Sequence, residues 1–195
     1  MLSDPLKLPS APIEPWFSFL RDLDDRLTQE TILHCMGGFA VVQAYGLERA
    51  TADIDVIAVL PYGIASHLLE IAGKESTLRI EHGIYLDVVT IASVPESYES
   101  RLTALYPGCW RHLRLFVLEA HDLALTKLER NFERDRGDVE HLARSGHLKA
   151  SMLQERYIEE MRPYVIGRVS WHDQTLQMWI EAFLTETDPP QGTRG

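Results

Sequence analysis

Cysteine is nearly absent. Cys35 and Cys109 are the only 2 in the chain, and neither has a CxxC partner. Their separation argues against a disulfide framework or a cysteine zinc site and is expected of buried thiols in a reducing compartment. Positive charge is also scarce: 19 Lys and Arg stand against 29 Asp and Glu, a formal net charge of -10. That balance argues against a broad, nonspecific nucleic-acid binder and leaves room only for a local basic patch. No apolar run approaches membrane-spanning length. The N-terminus carries Asp4, Lys7 and the prolines Pro5, Pro9 and Pro12 where a signal peptide would need an apolar core. A soluble, cytoplasmic protein without membrane contact is expected. Aromatic residues make up 9% of the chain, too few to suggest a base-stacking platform. Neither a P-loop lysine motif nor a GxGxxG dinucleotide fingerprint occurs. The 8 histidines show no metal-ligand spacing.

What is present divides into an α/β half and a helical half. Residues 1–14 read as an extended arm. A helix should start at Pro15, with Phe17, Leu20, Leu23 and Leu27 inward and Arg21, Asp24, Asp25 and Arg26 outward. Strands are expected over Thr31–Met36, Asp53–Leu60, Thr77–Glu81, Tyr85–Ile91 and His112–Leu118, the third and fourth joined by a turn at His82-Gly83. Helices are expected over Phe39–Tyr45, stopped by Gly46, over Gly63–Ala72, capped by Gly73, and over Ser97–Leu105. The texture then changes to four helical segments, Ala120–Asn131, Asp135–Ser145, Lys149–Met161 and Trp171–Leu184, followed by a polar tail over Thr185–Gly195. The organisation implied is an α/β core over 1–118, a helical region over 119–186 and a flexible end over 187–195.

Two features of the first half carry chemistry. Gly37-Gly38 ends an apolar strand and precedes a helix, an arrangement that lets backbone N–H groups face an anion. Asp53 and Asp55 stand at i and i+2, so a strand presents both carboxylates on one face, with Ile54 and Val56 on the other. At ~4 Å and an effective dielectric of ~20 their repulsion costs about 4 kcal/mol. Protonation, solvent or a cation between them relieves that cost, and Mg2+ suits carboxylate oxygens shared with phosphates. A third carboxylate, Asp87, sits inside the apolar run Tyr85-Leu86-Asp87-Val88-Val89. It either completes the cluster beside Asp53 and Asp55 or faces water on an edge strand. The glycine pair also has a plain reading as a tight turn.

The order Gly37-Gly38, Asp53-x-Asp55, Asp87 resembles the signature of the DNA polymerase β-like nucleotidyltransferase superfamily. The string Arg49-x-Thr51-x-Asp53-Ile54-Asp55 is similar to its AbiEii-type branch, which includes bacterial toxins of toxin–antitoxin pairs. The segment His121 to Arg130 with Lys127, followed by Arg134-Asp135-x-x-Asp138, resembles the helical part of that branch. The likeness covers roughly residues 30 to 145. It implies an α/β (α+β) fold, a small mixed β-sheet flanked by helices with a C-terminal helical bundle. It also implies roles. Gly37 and Gly38 would contact a triphosphate, Asp53, Asp55 and Asp87 would hold Mg2+ (or Mn2+), Asp87 would assist an incoming hydroxyl, and Lys127 would reach the phosphates. The implied reaction transfers a nucleoside monophosphate from an NTP to an RNA (or tRNA) or protein hydroxyl, with an antitoxin partner if the protein is a toxin.

Other readings stand beside this one. Leu125, Leu128 and Phe132 form an apolar stripe, and Lys127 and Arg130 lie off it, where a lysine ordinarily only solubilises. Asp135 and Asp138 read first as an N-cap and its N3 partner. Arg130, Arg134 and Arg136 either face an RNA acceptor or pair with Glu129, Glu133 and Glu140. Trp171 and Trp179 read as core or partner contacts. The alternatives in function are an inactive nucleotide-binding or interaction protein on the same fold, and an antibiotic-type transferase acting on a small molecule.

Overall fold

The computed structural model describes residues 10–90 and 92–184. Most of the expected arm, the last residue of the expected strand Tyr85–Ile91 and the tail Thr185–Gly195 lie outside the described residues. Helix α1 (Trp16–Asp24) buries Trp16, Phe19, Leu20 and Leu23 at helical spacing. Pro15 is the residue before the helix, not its first. Asp24, expected on the wet face, is buried. Its carboxylate accepts the backbone N–H groups of Arg111 at 2.9 Å, His112 at 2.7 Å and Leu113 at 2.7 Å. Those groups would otherwise lack partners where the chain enters a strand, so an acid is built in there.

Five strands make one mixed sheet: β1 (Thr31–Met36), β2 (Asp53–Leu60), β3 (Tyr85–Val88), β4 (Thr103–Leu105) and β5 (Leu113–Val117), in the order β3-β2-β1-β5-β4. The pairs β1–β2 and β4–β5 are antiparallel, and β2–β3 and β1–β5 are parallel. The β1–β2 register slips between His34 and Cys35, which leaves Ile57 as an extra residue on β2. This bulge sets Asp55 opposite Met36, against the start of helix α2 (Gly37–Tyr45). The mixed α/β architecture is the one expected.

Two segments differ from expectation. Thr77–Glu81 is not a strand but part of helix α4 (Thr77–His82), which follows α3 (Ala65–Ala72). Ser76 caps α4, its hydroxyl accepting Arg79 N–H at 3.1 Å, and Gly83 ends it with φ 70°. A hairpin at His82-Gly83 is ruled out by topology, because β3 runs parallel to β2 and parallel neighbours need a crossover. The helices α3 and α4 are that crossover. The expected helix Ser97–Leu105 is a single tight turn at Tyr98–Arg101 leading into β4.

The helical half holds α5 (Ala120–Leu125), α6 (Glu133–Arg144), α7 (Ala150–Arg156) and α8 (Val169–Trp179), the last two extended by wider turns over Tyr157–Met161 and Ile180–Leu184. The first of these is shorter than its periodicity suggested, and the chain then turns until Asn131, where φ is 47°. Leu123, Leu128, Val139, Leu153 and Trp179 are buried in the same cluster as Phe39, Ile54, Val56, Leu86 and Val117 of the sheet layer. An ionic network also ties the halves. Asp122, fully buried, accepts Arg101 Nε at 2.8 Å and Arg156 Nη1 at 2.9 Å, and Arg101 reaches Glu160 at 2.7 Å. Cys35 is a buried free thiol, whereas Cys109 is only half-buried. Among the described residues no helix is long and apolar enough to cross a membrane.

Candidate active site

The alternation of strand side chains places Asp53 and Asp55 on one face of β2. The parallel register pairs Asp55 with Asp87 and Asp53 with Tyr85. Asp87 therefore points to the same side as Asp55, one strand away. Because β3 is the edge of the sheet, both sequence readings of Asp87 hold: it stands beside the pair, and it is partly open to water. Its Oδ2 accepts Lys74 Nζ at 2.7 Å, while Asp53 Oδ1 accepts the Thr51 hydroxyl at 2.7 Å.

Gly37 and Gly38 are the first two residues of α2, not a turn before it. Gly37 has φ +66°, and a Cβ there would fall 2.8 Å from Asp55 Cγ and closer still to its oxygen. Its missing side chain makes room for the carboxylate. At Gly38 a Cβ would stand 2.8 Å from Arg49 Nη2, 3.0 Å from Thr51 Oγ1 and 3.3 Å from Arg134 Nη2. One glycine thus faces the acids and the next faces two guanidinium groups, at a helix start whose first N–H groups have no intrahelical acceptor.

Between β2 and α6 lies a cleft of about 150 Å3 lined by Gly38, Arg49, Asp53, Asp55, Lys127, Arg130, Phe132, Arg134, Asp135 and Asp138. Lys127 is not on a wet face: it is 2% exposed, with Nζ 2.8 Å from Asp138 Oδ2 and 3.7 Å from Asp135 Oδ1. The two aspartates are not the expected N-cap and N3 pair either. The helix begins after Phe132, so Asp135 occupies N3, accepting Phe132 N–H at 3.2 Å and Arg130 Nη2 at 2.8 Å. Asp138 lies in the helix interior, 1% exposed, and takes both prongs of Arg49, Nε at 3.0 Å and Nη2 at 2.9 Å. Phe132, assigned by periodicity to the apolar stripe, is instead 67% exposed on the cleft. The chain breaks its helical course before it and turns the ring outward. The basic cluster disperses: Arg130 holds Asp135, Arg136 donates to Asn131 C=O at 2.7 Å, and Arg134 donates to Thr51 Oγ1 at 3.3 Å. Two of the three expected acidic partners are engaged elsewhere, Glu129 by Arg168 and His172 and Glu140 by Arg144.

The cleft is electrostatically tense. Burial first, then the neighbouring charges of Asp53 and Asp87, push the Asp55 carboxyl up to about 6, against the opposing pull of Arg130 and Lys127. Arg49 Nη1 is buried and has no hydrogen-bond partner among the described residues. That guanidinium sits between Gly38 and Asp138 and is a ready donor for an anion. In the sequence Arg49 and Thr51 stand out only as part of the string that resembles the AbiEii-type branch, and Arg134 only as part of that likeness and of the basic cluster; none of the three has a phosphate-facing role there. Arg49 meets Asp138 only through the fold.

Three carboxylates on adjacent strands are a hard-oxygen donor set of the kind suited to Mg2+ or Mn2+, and the charges of Asp53 and Asp87 add to the burial that raises the Asp55 carboxyl. Each also keeps its own partner or wall, namely Thr51, Gly37 and Lys74. Among the described residues the group of ligand-type side chains whose atoms all lie within 4.8 Å of one another is a different one, Asp22, Glu81 and His82, on α1 and α4. There Arg21 and Arg26 already neutralise the two acids, so nothing in that group calls for an ion. Beyond Asp55 and Arg130, which line both spaces, a second cavity of about 500 Å3 opens against Met36, Val89, Ala92, Val94, Met161 and Val165.

Compared with known families, residues 16–183 match one family model, described as a nucleotidyltransferase of unknown function (DUF6036). No curated protein and no solved structure matches the chain.

Proposed function

The chain belongs to the family of nucleotidyltransferases of unknown function, DUF6036, and on that premise we propose that it is a metal-dependent enzyme moving a nucleoside monophosphate from an NTP to a hydroxyl acceptor. The observation that carries the proposal is the register of β2 and β3. It sets Asp87 against Asp55, across from the two-glycine start of α2 and the guanidinium groups of Arg49 and Arg134. Asp53 and Asp55 thus share one cleft with phosphate-type donors, and Asp87 stands beside Asp55 on the next strand, an arrangement suited to phosphoryl-transfer chemistry.

Asp53, Asp55 and Asp87 would hold Mg2+ or Mn2+, which supplies charge neutralisation to the phosphates. The protein's own part is positioning. Gly38, the first N–H groups of α2, Arg49 and Arg134 bind the β- and γ-phosphates. Arg130, at the junction of the two cavities, faces the α-phosphate. The acceptor oxygen bonds to the α-phosphorus as the bridging bond to the β-phosphate breaks. The hydroxyl proton passes to Asp87 and pyrophosphate leaves with the bridging electron pair. Lys127 is locked to Asp138 and acts by holding Arg49 and Asp138 in place and by its charge, not by grasping phosphate. The Arg49-x-Thr51-x-Asp53 string and the Lys127 to Asp138 segment support placement near the AbiEii-type branch, including the toxin role of some of its members and an antitoxin partner.

RNA (tRNA included) and protein are the acceptors proposed first. A compact acceptor is favoured by one observation, the apolar second cavity that meets the cleft at Asp55 and Arg130. Labelled NTPs, Mg2+ and cell extract, with Asp55→Ala as control, test the proposal. Label is expected in RNA, protein or a small product with wild type alone. Transfer by neither protein, or equally by both, rules the activity out. NTP binding without transfer marks an inactive nucleotide-binding protein.

A further inference from the structure

We propose that Phe132 is the residue on which the base of the bound nucleotide stacks, an inference that rests on the nucleotide reading above. The cleft wall is otherwise made of glycine and charged side chains: Phe132 is its one apolar member. The ring is 67% exposed, although the core cluster built by Leu123, Leu125 and Leu128 of the preceding segment is close by in sequence. An aromatic ring left in water among arginines and aspartates contributes little to folding. Its backbone is nevertheless held firmly. Phe132 N–H donates to Asp135 Oδ2 at 3.2 Å, and its C=O accepts Arg136 N–H at 3.0 Å as the first turn of α6 begins. Such anchoring fixes the point on the cleft wall from which the ring projects. On either side in sequence stand Arg130 and Arg134, the two arginines that face the acidic and glycine walls of the same cleft. A nucleotide whose phosphates lie on Gly38, Arg49 and Arg134 must carry its base within reach of that space. Within the cleft only this ring offers an apolar face. A single stacking ring is also compatible with the low aromatic content, which spoke against a multi-base platform. Because every base has a π-face, stacking on Phe132 would hold purines more tightly than pyrimidines but exclude none.

The test measures affinities by calorimetry for ATP and for inorganic tripolyphosphate, on wild type, Phe132→Ala, Phe132→Trp and Ser93→Trp. Ser93 is exposed and lines the second cavity, so the last variant narrows that space alone. Phe132→Ala should weaken ATP roughly 5- to 100-fold, the range found for base–aromatic stacking, and leave tripolyphosphate unchanged. Phe132→Trp should keep or improve ATP binding. Unchanged thermal unfolding of the alanine variant checks that folding is intact. If Phe132→Ala binds ATP like wild type, or if Ser93→Trp alone loses affinity, the base lies elsewhere and the assignment falls. If wild type binds neither ATP nor tripolyphosphate, the nucleotide reading itself fails, which is a different result.

Discussion

Asp55→Asn should make the protein more stable at neutral pH and no more stable in acid. Folding lifts the Asp55 carboxyl from 3.8 to about 6. Below the lower value both folded and unfolded chains hold the proton, so folding is unaffected. Between the two values the folded chain keeps a proton that the unfolded chain releases, and stability falls as pH rises. Above the upper value the loss is complete. A shift of about two units at ~1.36 kcal/mol each amounts to roughly 3 kcal/mol. Asparagine keeps the shape and removes the charge, so the variant escapes this loss. For a chain of this size that is roughly 6–12 °C in melting temperature. The assay is thermal or urea unfolding of both proteins in chelator-treated buffer at about pH 3 and about pH 7.5, where the linkage predicts almost no gap and the full gap. An Asn variant less stable than wild type at neutral pH would refute the reasoning. So would an equal advantage at both pH values, which would trace the gain to packing instead of charge.

Asp24 should behave in the opposite sense. Its burial favours the neutral acid, but three backbone N–H groups outweigh this and hold its carboxyl below the usual range. Its contribution is present at neutral pH and is lost as pH falls through its lowered value. Asp24→Ala, which strands three donors, should therefore destabilise by at least about 3 kcal/mol in urea unfolding at neutral pH and by less in acid. Asp138→Ala takes from Arg49 its carboxylate partner and leaves buried Lys127 with Asp135 alone at 3.7 Å, and should cost about 3–5 kcal/mol by the same measurement. Gly37→Ala must place a methyl against the Asp55 carboxylate at φ +66°, whereas Gly46→Ala, at φ +70°, meets nothing within 4 Å. The second should cost about 1–2 kcal/mol, the penalty of the left-handed backbone, and the first clearly more. Equal losses would show that Asp55 does not press on Gly37.

Local pattern made much of the site legible. The strand Asp53–Leu60 could be read because β-branched and apolar residues alternate faces at period two, which by itself puts Asp53 and Asp55 on one side. The helix over Phe39–Tyr45 stopped by Gly46, and the change from strands to helices after the strand His112–Leu118, rest on equally local chemistry, although the helix itself starts two residues earlier, at Gly37. Thr77–Glu81 is ambiguous in the sequence because Thr77, Leu78 and Ile80 suit either strand or helix. The Ser76 cap and the parallel crossover decide for helix.

What pairs with what was left to the tertiary structure. A strand's periodicity tells which way Asp87 points relative to its neighbours, but not which strand lies alongside. The parallel register of β3 with β2 brings it to Asp55. Helical spacing likewise put Lys127 on a wet face and Phe132 on an apolar one, and the fold reversed both. Ending α5 at Leu125 resets the helical phase before either residue is reached, so Lys127 turns inward to Asp138 and the Phe132 ring turns out to the cleft. Sequence alone determined that acids and glycines suited to phosphate chemistry were present. Tertiary structure decided which of them meet, because a charge or a ring acquires its role from neighbours that only chain topology can supply.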